Sequence, residues 1–343
     1  MAIKSYKGFD KNLRCRGFQY KIGGIYEMDG KIKMCNRGFH ACESPFDVFD
    51  YYTMIDSRFC EVEQDGNISK WDRGTKICSS KIKIKAELKL ANMINLGVEW
   101  LKEITSPEKI KTSIKDNSSG NYAKIGSSGD EVQIGSSGYG AQIGSSGNGA
   151  QIGSSGNNAQ IGSSGYGAKI GSSGNNVQIG SSGYGAKIGS SGYGAKIGSS
   201  GNDAKIGSSG NDAKIGSSGY GAKIGSSGYG AQIGSSGNNA QIGSSGNNAQ
   251  IGSSGDGAKI SSSGYGAKID STGEDCVIMC AGINSVAKAS KGSWVTLSEW
   301  SYSEEKQRYI PICVKTEFVD GEKIKADTYY SLKGGVFVEW IND

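Results

Sequence analysis

From Ile125 to Ile269 an isoleucine stands at every ninth position without a gap. The 144 residues between them make 16 repeats of Ile-Gly-Ser-Ser-Gly-Tyr/Asn-Gly/Asn-Ala-Lys/Gln, and Ile278 extends the register once more. Self-similarity at a short fixed period marks a stacked architecture. A flexible Gly/Ser linker has no use for a strict register or for a large aliphatic side chain in each ninth place. Collagen is excluded, because there is no Gly-X-Y period and only 3 prolines accompany the 56 glycines of the 343-residue chain.

Each nonapeptide reads as a short strand and a turn. Ala, replaced by Val132, Val177 or Cys276, stands two positions before each Ile. Side chains alternate across a strand, so Ala and Ile share one face while the Lys or Gln between them faces the other way. The Ser two positions after the Ile also points inward on this pattern. The following Ser-Gly-x-x turns the chain, using residues that tolerate positive φ. One nonapeptide cannot bury its isoleucine alone, but stacked nonapeptides can, as rungs about 4.8 Å apart joined by backbone hydrogen bonds. The expected fold is mainly β, with a central β-solenoid. A two-sided coil of 18 residues suits the narrow interior that Ala, Ile and Ser can fill; a three-sided coil of 27 is the alternative. Two-sided packing gives about eight coils and a length of roughly 40 Å.

The stretch 207–215 resembles the calcium-binding nonapeptides of RTX β-rolls. Calcium sites need several oxygen ligands, usually carboxylates. The matching position is acidic only at Glu131, Asp203 and Asp212, and the apolar residue is displaced by one place. No calcium is expected, and no other cofactor.

The outward positions carry Lys or Gln. In a two-sided coil residues 18 apart stack, so Lys169, Lys187, Lys205 and Lys223 form a ladder on one face. Stacked like charges repel. The ladder is therefore either a seat for an acidic partner or nucleic-acid phosphates, or a solvated face whose aliphatic stems cover the sheet. The block from Ile125 to Ile269 holds 8 Lys against 5 acidic residues and no Arg, so the bidentate phosphate fork is missing. Tyr139, Tyr166, Tyr184, Tyr193, Tyr220 and Tyr229 fall at turns, as does Tyr265. They could anchor a partner or stack bases, or shield the corner backbone.

Three regions follow: an α+β N-terminal capping domain over 1–115, the solenoid over 116–282, and a β-rich C-terminal capping domain over 283–343. In the first, Lys31–Met34 and Lys81–Leu88 look like strands. Ser44-Pro45 opens a short helix through Tyr52, with Ser as cap and Pro at the first position. Residues about 92–112 read as helical or irregular. In the last, Ser293–Trp300, Tyr309–Lys315 and Gly335–Trp340 look like strands of an antiparallel unit.

Met1–Tyr6 lacks the apolar core of a secretion signal, and no apolar run is long enough to cross a bilayer as a helix. The eight cysteines are therefore expected as reduced thiols. Cys35, His40 and Cys42 lie close together, yet the paired Cys-x2-4-Cys knuckles of a zinc site are absent and Cys276-x3-Cys280 stands alone. His40 is the single histidine, and no nucleophile motif surrounds it. Neither a Walker loop nor a dinucleotide fingerprint occurs. The reading is a non-enzymatic protein with no metal.

Tyr6-Lys7-Gly8-Phe9-Asp10, Cys15-Arg16-Gly17-Phe18, Gly38-Phe39-His40-Ala41-Cys42, Val48-Phe49-Asp50-Tyr51-Tyr52 and Phe59-Cys60-Glu61-Val62 resemble an uncharacterised domain family of phage and prophage proteins. Members often carry Gly-Ser nonapeptides behind it and a tail like Gly292-Ser293-Trp294 and Lys325–Tyr329. The resemblance implies a viral or prophage origin and no established activity. The expected role is a phage-encoded interaction protein in the host cytoplasm, binding and blocking a host or host-defence protein. The alternatives are a virion or tail-associated spacer and a nucleic-acid binder using the Lys ladder and turn tyrosines.

Overall fold

The computed structural model describes residues 2–53, 57–71, 75–89, 92–93, 96–97, 100, 117–118 and 120–341. The chain divides into two compact units, Met1–Trp100 and Leu101–Asp343. Of the stretch expected as helical or irregular over about 92–112, residues 92–93, 96–97 and 100 are described and are helical, and the rest lies outside the described residues.

In the first unit, β1 (Ile3–Phe9), β2 (Arg14–Cys15), β3 (Phe18–Gln19), β4 (Ile25–Glu27) and β5 (Phe39–Cys42) precede two long strands, β6 (Arg58–Lys70) and β7 (Lys76–Leu88). The main sheet runs β4-β7-β5-β1-β6, and β6 also pairs with β7, so the sheet closes on itself. All of its pairings are antiparallel. Closure removes open edges and buries Phe9, Phe39, Cys60, Val62, Ile82 and Ile84 in one cluster. The Lys81–Leu88 strand is present as the second half of β7. Lys31–Met34 is not a strand: Lys33 bridges to Arg37 across a tight turn with Cys35 at φ 61°. The expected helix is a 3-10 turn over Phe46–Asp50, with Pro45 rather than Ser44 at its cap and no side-chain capping bond. Its buried face is Phe46, Val48 and Phe49, too short an apolar run to favour a longer α-helix.

In the second unit, β8 (Asn117–Ser118) is followed by a strand every nine residues from β9 (Lys124–Ser127) to β25 (Lys268–Ser271), then by β26 (Val277–Cys280) and β27 (Val286–Ala289). Each strand pairs in parallel with the one 18 residues on, so Ile152 lies beside Ile170 and Ile161 beside Ile179. The coil is therefore two-sided. A first sheet takes the even-numbered strands from β8 and a second takes the odd-numbered strands from β9. The register runs through ten coils, beyond the isoleucine block at both ends, because Asn117–Ser118, Val277–Cys280 and Val286–Ala289 keep its spacing.

The isoleucines are 0–4% exposed, and Ala and Ser lie inward beside them. Each buried Ile contributes about 1.5–3 kcal/mol. Backbone bonds tie the coils at strand and corner: Lys187 N–H donates to Ala168 O (2.8 Å), Ser191 N–H to Ser172 O (3.0 Å) and Gly194 N–H to Asn211 O (2.9 Å). Two turn positions dictate residue type. At the corner glycine that follows Ser-Ser, a Cβ on Gly192 would overlap the backbone carbonyl of Gly174 one coil earlier, and the same overlap recurs from Gly138 to Gly282. Two residues later the backbone is left-handed, as at Asn176 (φ 54°), Gly194 (φ 66°) and Asp203 (φ 55°), which explains the Gly, Asn and Asp found there.

The chain ends as two hairpins. β28 (Trp294–Ser303) joins the first sheet in parallel beside β26 and folds back as β29 (Arg308–Phe318). β30 (Tyr330–Lys333) meets β27 antiparallel and folds back as β31 (Val336–Glu339). Val319, Ile324, Tyr330 and Leu332 belong to the solenoid core cluster and finish its C-terminal end with larger side chains.

The corner and strand glycines are thus unequal. A Cβ at the strand residue Gly189 would meet nothing within 4 Å. Gly192→Ala is expected to lower stability by at least about 2 kcal/mol, whereas Gly189→Ala is neutral or stabilising by up to about 1 kcal/mol. Denaturant melts of the two variants check this.

Candidate functional site

The outward face of the first sheet carries two parallel columns. One is Lys169, Lys187, Lys205 and Lys223, whose Cα positions pair directly from strand to strand. Gln133 and Gln151 precede it and Gln241 and Lys259 continue it. The other column is glycine, from Gly153 to Gly225, with no neighbour where a Cβ would stand. The glycines form the floor of a groove of about 1400 Å³ beside the lysines. All four lysines are exposed, and among the described residues none meets a carboxylate. Water and salt therefore screen their mutual repulsion. The ladder expected from the repeat is present as geometry, with its charge unneutralised.

The second sheet has a different outward face. Its glycines, including Gly162, Gly180 and Gly198, are buried, and Lys196 in its lysine column is only 8% exposed. Among the described residues the open Lys-Gly face belongs to the first sheet.

The first sheet's lysine column then changes character. Lys259 stacks on Val277, Val277 on Trp294, and Trp294 on Phe318, with the last two rings 5.1 Å apart. Val277, Met279, Trp294 and Phe318 are 41–52% exposed, so the groove ends at an apolar rim. The sequence reading passed over this rim, although Val277 in a Lys place and Met279 in a Gly place were visible signals.

The tyrosines do not form one surface. Tyr166, Tyr184 and Tyr220 stand on the edge that leads into the first sheet, three residues before Lys169, Lys187 and Lys223. Tyr139, Tyr193, Tyr229 and Tyr265 stand on the opposite edge. Most are tied to the next coil. Asn158 and Asn239 side chains donate to the hydroxyls of Tyr139 (2.6 Å) and Tyr220 (2.9 Å), and Tyr184 donates to Asp203 (2.5 Å). Tyr166 and Tyr184 stack at 5.3 Å and 8°. Where Asn takes the tyrosine place it does different work: Asn175 Oδ1 accepts the N–H of Tyr193 at 2.9 Å. The turn tyrosines thus brace the corners, and only Tyr166, Tyr184 and Tyr220 border the lysine column.

In the first unit His40 lies on β5, and its Nε2 accepts the Cys35 N–H at 2.9 Å. Burial, then the charges of Lys76, Lys7 and Arg16, push the imidazole down to about 4. Cys42, Cys60 and Cys78 are buried, and burial pushes the Cys60 thiol up to about 12, far from the thiolate that metal binding or nucleophilic attack requires. Among the described residues no three His, Cys, Asp or Glu side chains converge to hold a metal ion. His40 therefore acts as a neutral hydrogen-bond acceptor for the turn at Cys35.

A histidine whose folded pKa lies below its unfolded value takes up its proton preferentially in the unfolded state. Its neutral form supports the fold fully above about 6.5, and that support is lost as pH falls toward 4. The stability difference between the native protein and His40→Gln is expected to shrink over that window. Melts of both from pH 7 to about 4 read it out.

Residues 3–96 match a domain of unknown function, DUF7666. That region covers the closed sheet with His40 and ends before the solenoid. Searches of curated proteins and of solved structures return no match. The family likeness of this chain is therefore to DUF7666, over its first unit.

Proposed function

We propose that the protein is a non-enzymatic interaction scaffold whose open first-sheet face seats an acidic surface of a partner protein. The lysine column held in strand-to-strand register carries this reading. Three further features support it. The glycine floor beside the column fills no need of the fold, and glycine within a strand costs stability unless something approaches closely. The apolar rim at Val277, Met279 and Trp294 offers an anchor of the kind that dominates binding energy. The hydrogen-bonded coils are rigid, so little ordering entropy is lost on binding. In the finer form of the proposal the protein is phage-encoded and blocks a host or host-defence protein. Its support is the resemblance of the N-terminal motifs to phage and prophage proteins.

A second reading, nucleic-acid binding, has one specific observation in its favour: the Tyr166–Tyr184 stack borders the lysine column. The two readings separate in one experiment. Tagged protein is used to capture partners from host lysate with and without nuclease. Its comparators are the quadruple Lys169, Lys187, Lys205, Lys223→Glu variant and Gly207→Tyr, which fills the floor without touching the core. A protein captured despite nuclease, and lost with both variants while their melts stay native, is the expected result. Capture that both variants retain would sink the proposal. Nuclease-sensitive binding with a log–log salt slope near about −3 would favour nucleic acid instead.

A further inference from the structure

The first unit contains a cleft of about 1160 Å³ between β1, β5 and the β2–β3 hairpin. At its base lies Lys7, only 5% exposed. Its Nζ donates to His40 O (2.9 Å) and to Cys15 Sγ (3.4 Å), and the Cys15 sulfur is 3.1 Å from the Tyr52 hydroxyl. None of these partners is a carboxylate. Among the described residues no carboxylate lies within ion-pair distance of Lys7. The two acidic side chains in the cleft wall are already engaged. Asp10 accepts the backbone N–H groups of Asn12 (2.9 Å) and Arg14 (2.7 Å), and Glu27 pairs with Lys81 (3.2 Å).

The hairpin adds a second cation and an aromatic wall. Arg16 sits at its tip with φ 51°, exposed and facing the cleft. Phe18 pairs with Cys15 across the hairpin and is 50% exposed. It stands edge-on to Tyr20 (4.8 Å) and Tyr26 (5.5 Å), and Tyr20 leans on Phe9 (5.1 Å), whose ring lies 5.4 Å from the Lys7 ammonium. Phe9 itself is buried, but Phe18, Tyr20, Tyr26 and Lys7 all line the same cleft. Phe18 leaves half of its surface in water, and Lys7 is buried with no carboxylate partner among the described residues; a desolvated cation without a counter-charge is unfavourable. Burial and, more weakly, the charge of Arg16 lower the pKa of the Lys7 amine. An anion between the two would relieve both effects.

We infer that this cleft binds a nucleoside monophosphate, with the phosphate between Lys7 and Arg16 and the base on Phe18. A phosphate matches an ammonium and a guanidinium, which supply convergent donors. A planar base matches an exposed ring held edge-on by two others, and such stacking contributes about 1–3 kcal/mol. The site is separate from the solenoid face, and neither proposal depends on the other.

The test is calorimetric titration of the full chain with AMP, GMP, CMP and UMP, with inorganic phosphate and adenosine as half-ligands. At least one nucleotide is expected to bind at least about 10-fold more tightly than either half-ligand. Phe18→Ala and Arg16→Ala, both exposed positions, are each expected to weaken it by about 5-fold or more with unchanged melts. Lys7→Met, which keeps the buried stem, is expected to abolish binding; should it unfold the unit, the two exposed variants still decide. No binding of any nucleotide at about 1 mM would overturn the proposal. So would inorganic phosphate binding as tightly as the nucleotides, or affinity undiminished in both exposed variants.

Discussion

Everything in the second unit depends on one close approach: the backbone of each corner resting on the corner one coil earlier. The overlap that a Cβ at Gly192 would make with the Gly174 carbonyl measures how little room there is. Only with glycine in that place can the coils descend to hydrogen-bonding distance, as in the 2.8 Å bond from Lys187 N–H to Ala168 O. Hydrogen bonding then imposes the 18-residue register, since each N–H has one carbonyl within reach. Ile on Ile, Ser on Ser and Lys on Lys are consequences of that register. The isoleucine core supplies most of the driving force, but an oily core alone would tolerate slippage.

Within this frame the positions separate by what holds them. Ile, Ala and the corner glycine are held by packing, and the residue two after the corner glycine is held by its left-handed backbone. The outward Lys/Gln place, the strand glycine on the first sheet and the Tyr/Asn place at the corner are not held in this way. What varies there is information the fold does not consume. At the corner the variation turns out to be structural after all: Asn175 accepts the next coil's N–H, whereas Tyr184 reaches Asp203 through its hydroxyl. Among the described residues the lysines and glycines of the first-sheet face have no such partner, and that contrast is why we propose this face as the binding surface.

The first unit works by other rules. No repeat sets its register, and its closed sheet depends on pairings between distant segments, such as Tyr6 with Cys42 and Phe39 with Ser79. These pairings bring Lys7, Cys15, Tyr52 and the carbonyl of His40 together from four separate stretches. His40, the residue that stands out in the sequence as the single histidine, proves to be an acceptor for a turn. Lys7, which nothing in the sequence distinguishes from 37 other basic residues, is buried at the base of the cleft.

The sequence by itself determined the solenoid: its strand and its inward Ala-Ile-Ser face follow from a period of nine and the alternation of a strand. The narrow interior these residues can fill favoured the two-repeat coil, and with it the Lys169–Lys223 column, over a three-sided one; the strand pairing 18 residues apart decided between them. A periodic chain allows this because each contact is repeated, so local pattern and long-range contact carry the same information. Only the tertiary structure decided what lies outside the period. It turned Lys31–Met34 into a tight turn and the expected helix after Pro45 into a single 3-10 turn. It set the two solenoid faces apart, split the tyrosines between two edges and continued the lysine column into Val277, Trp294 and Phe318. It also assembled the Lys7 cleft. Each of these depends on which distant residues become neighbours, and an aperiodic sequence does not state that choice locally.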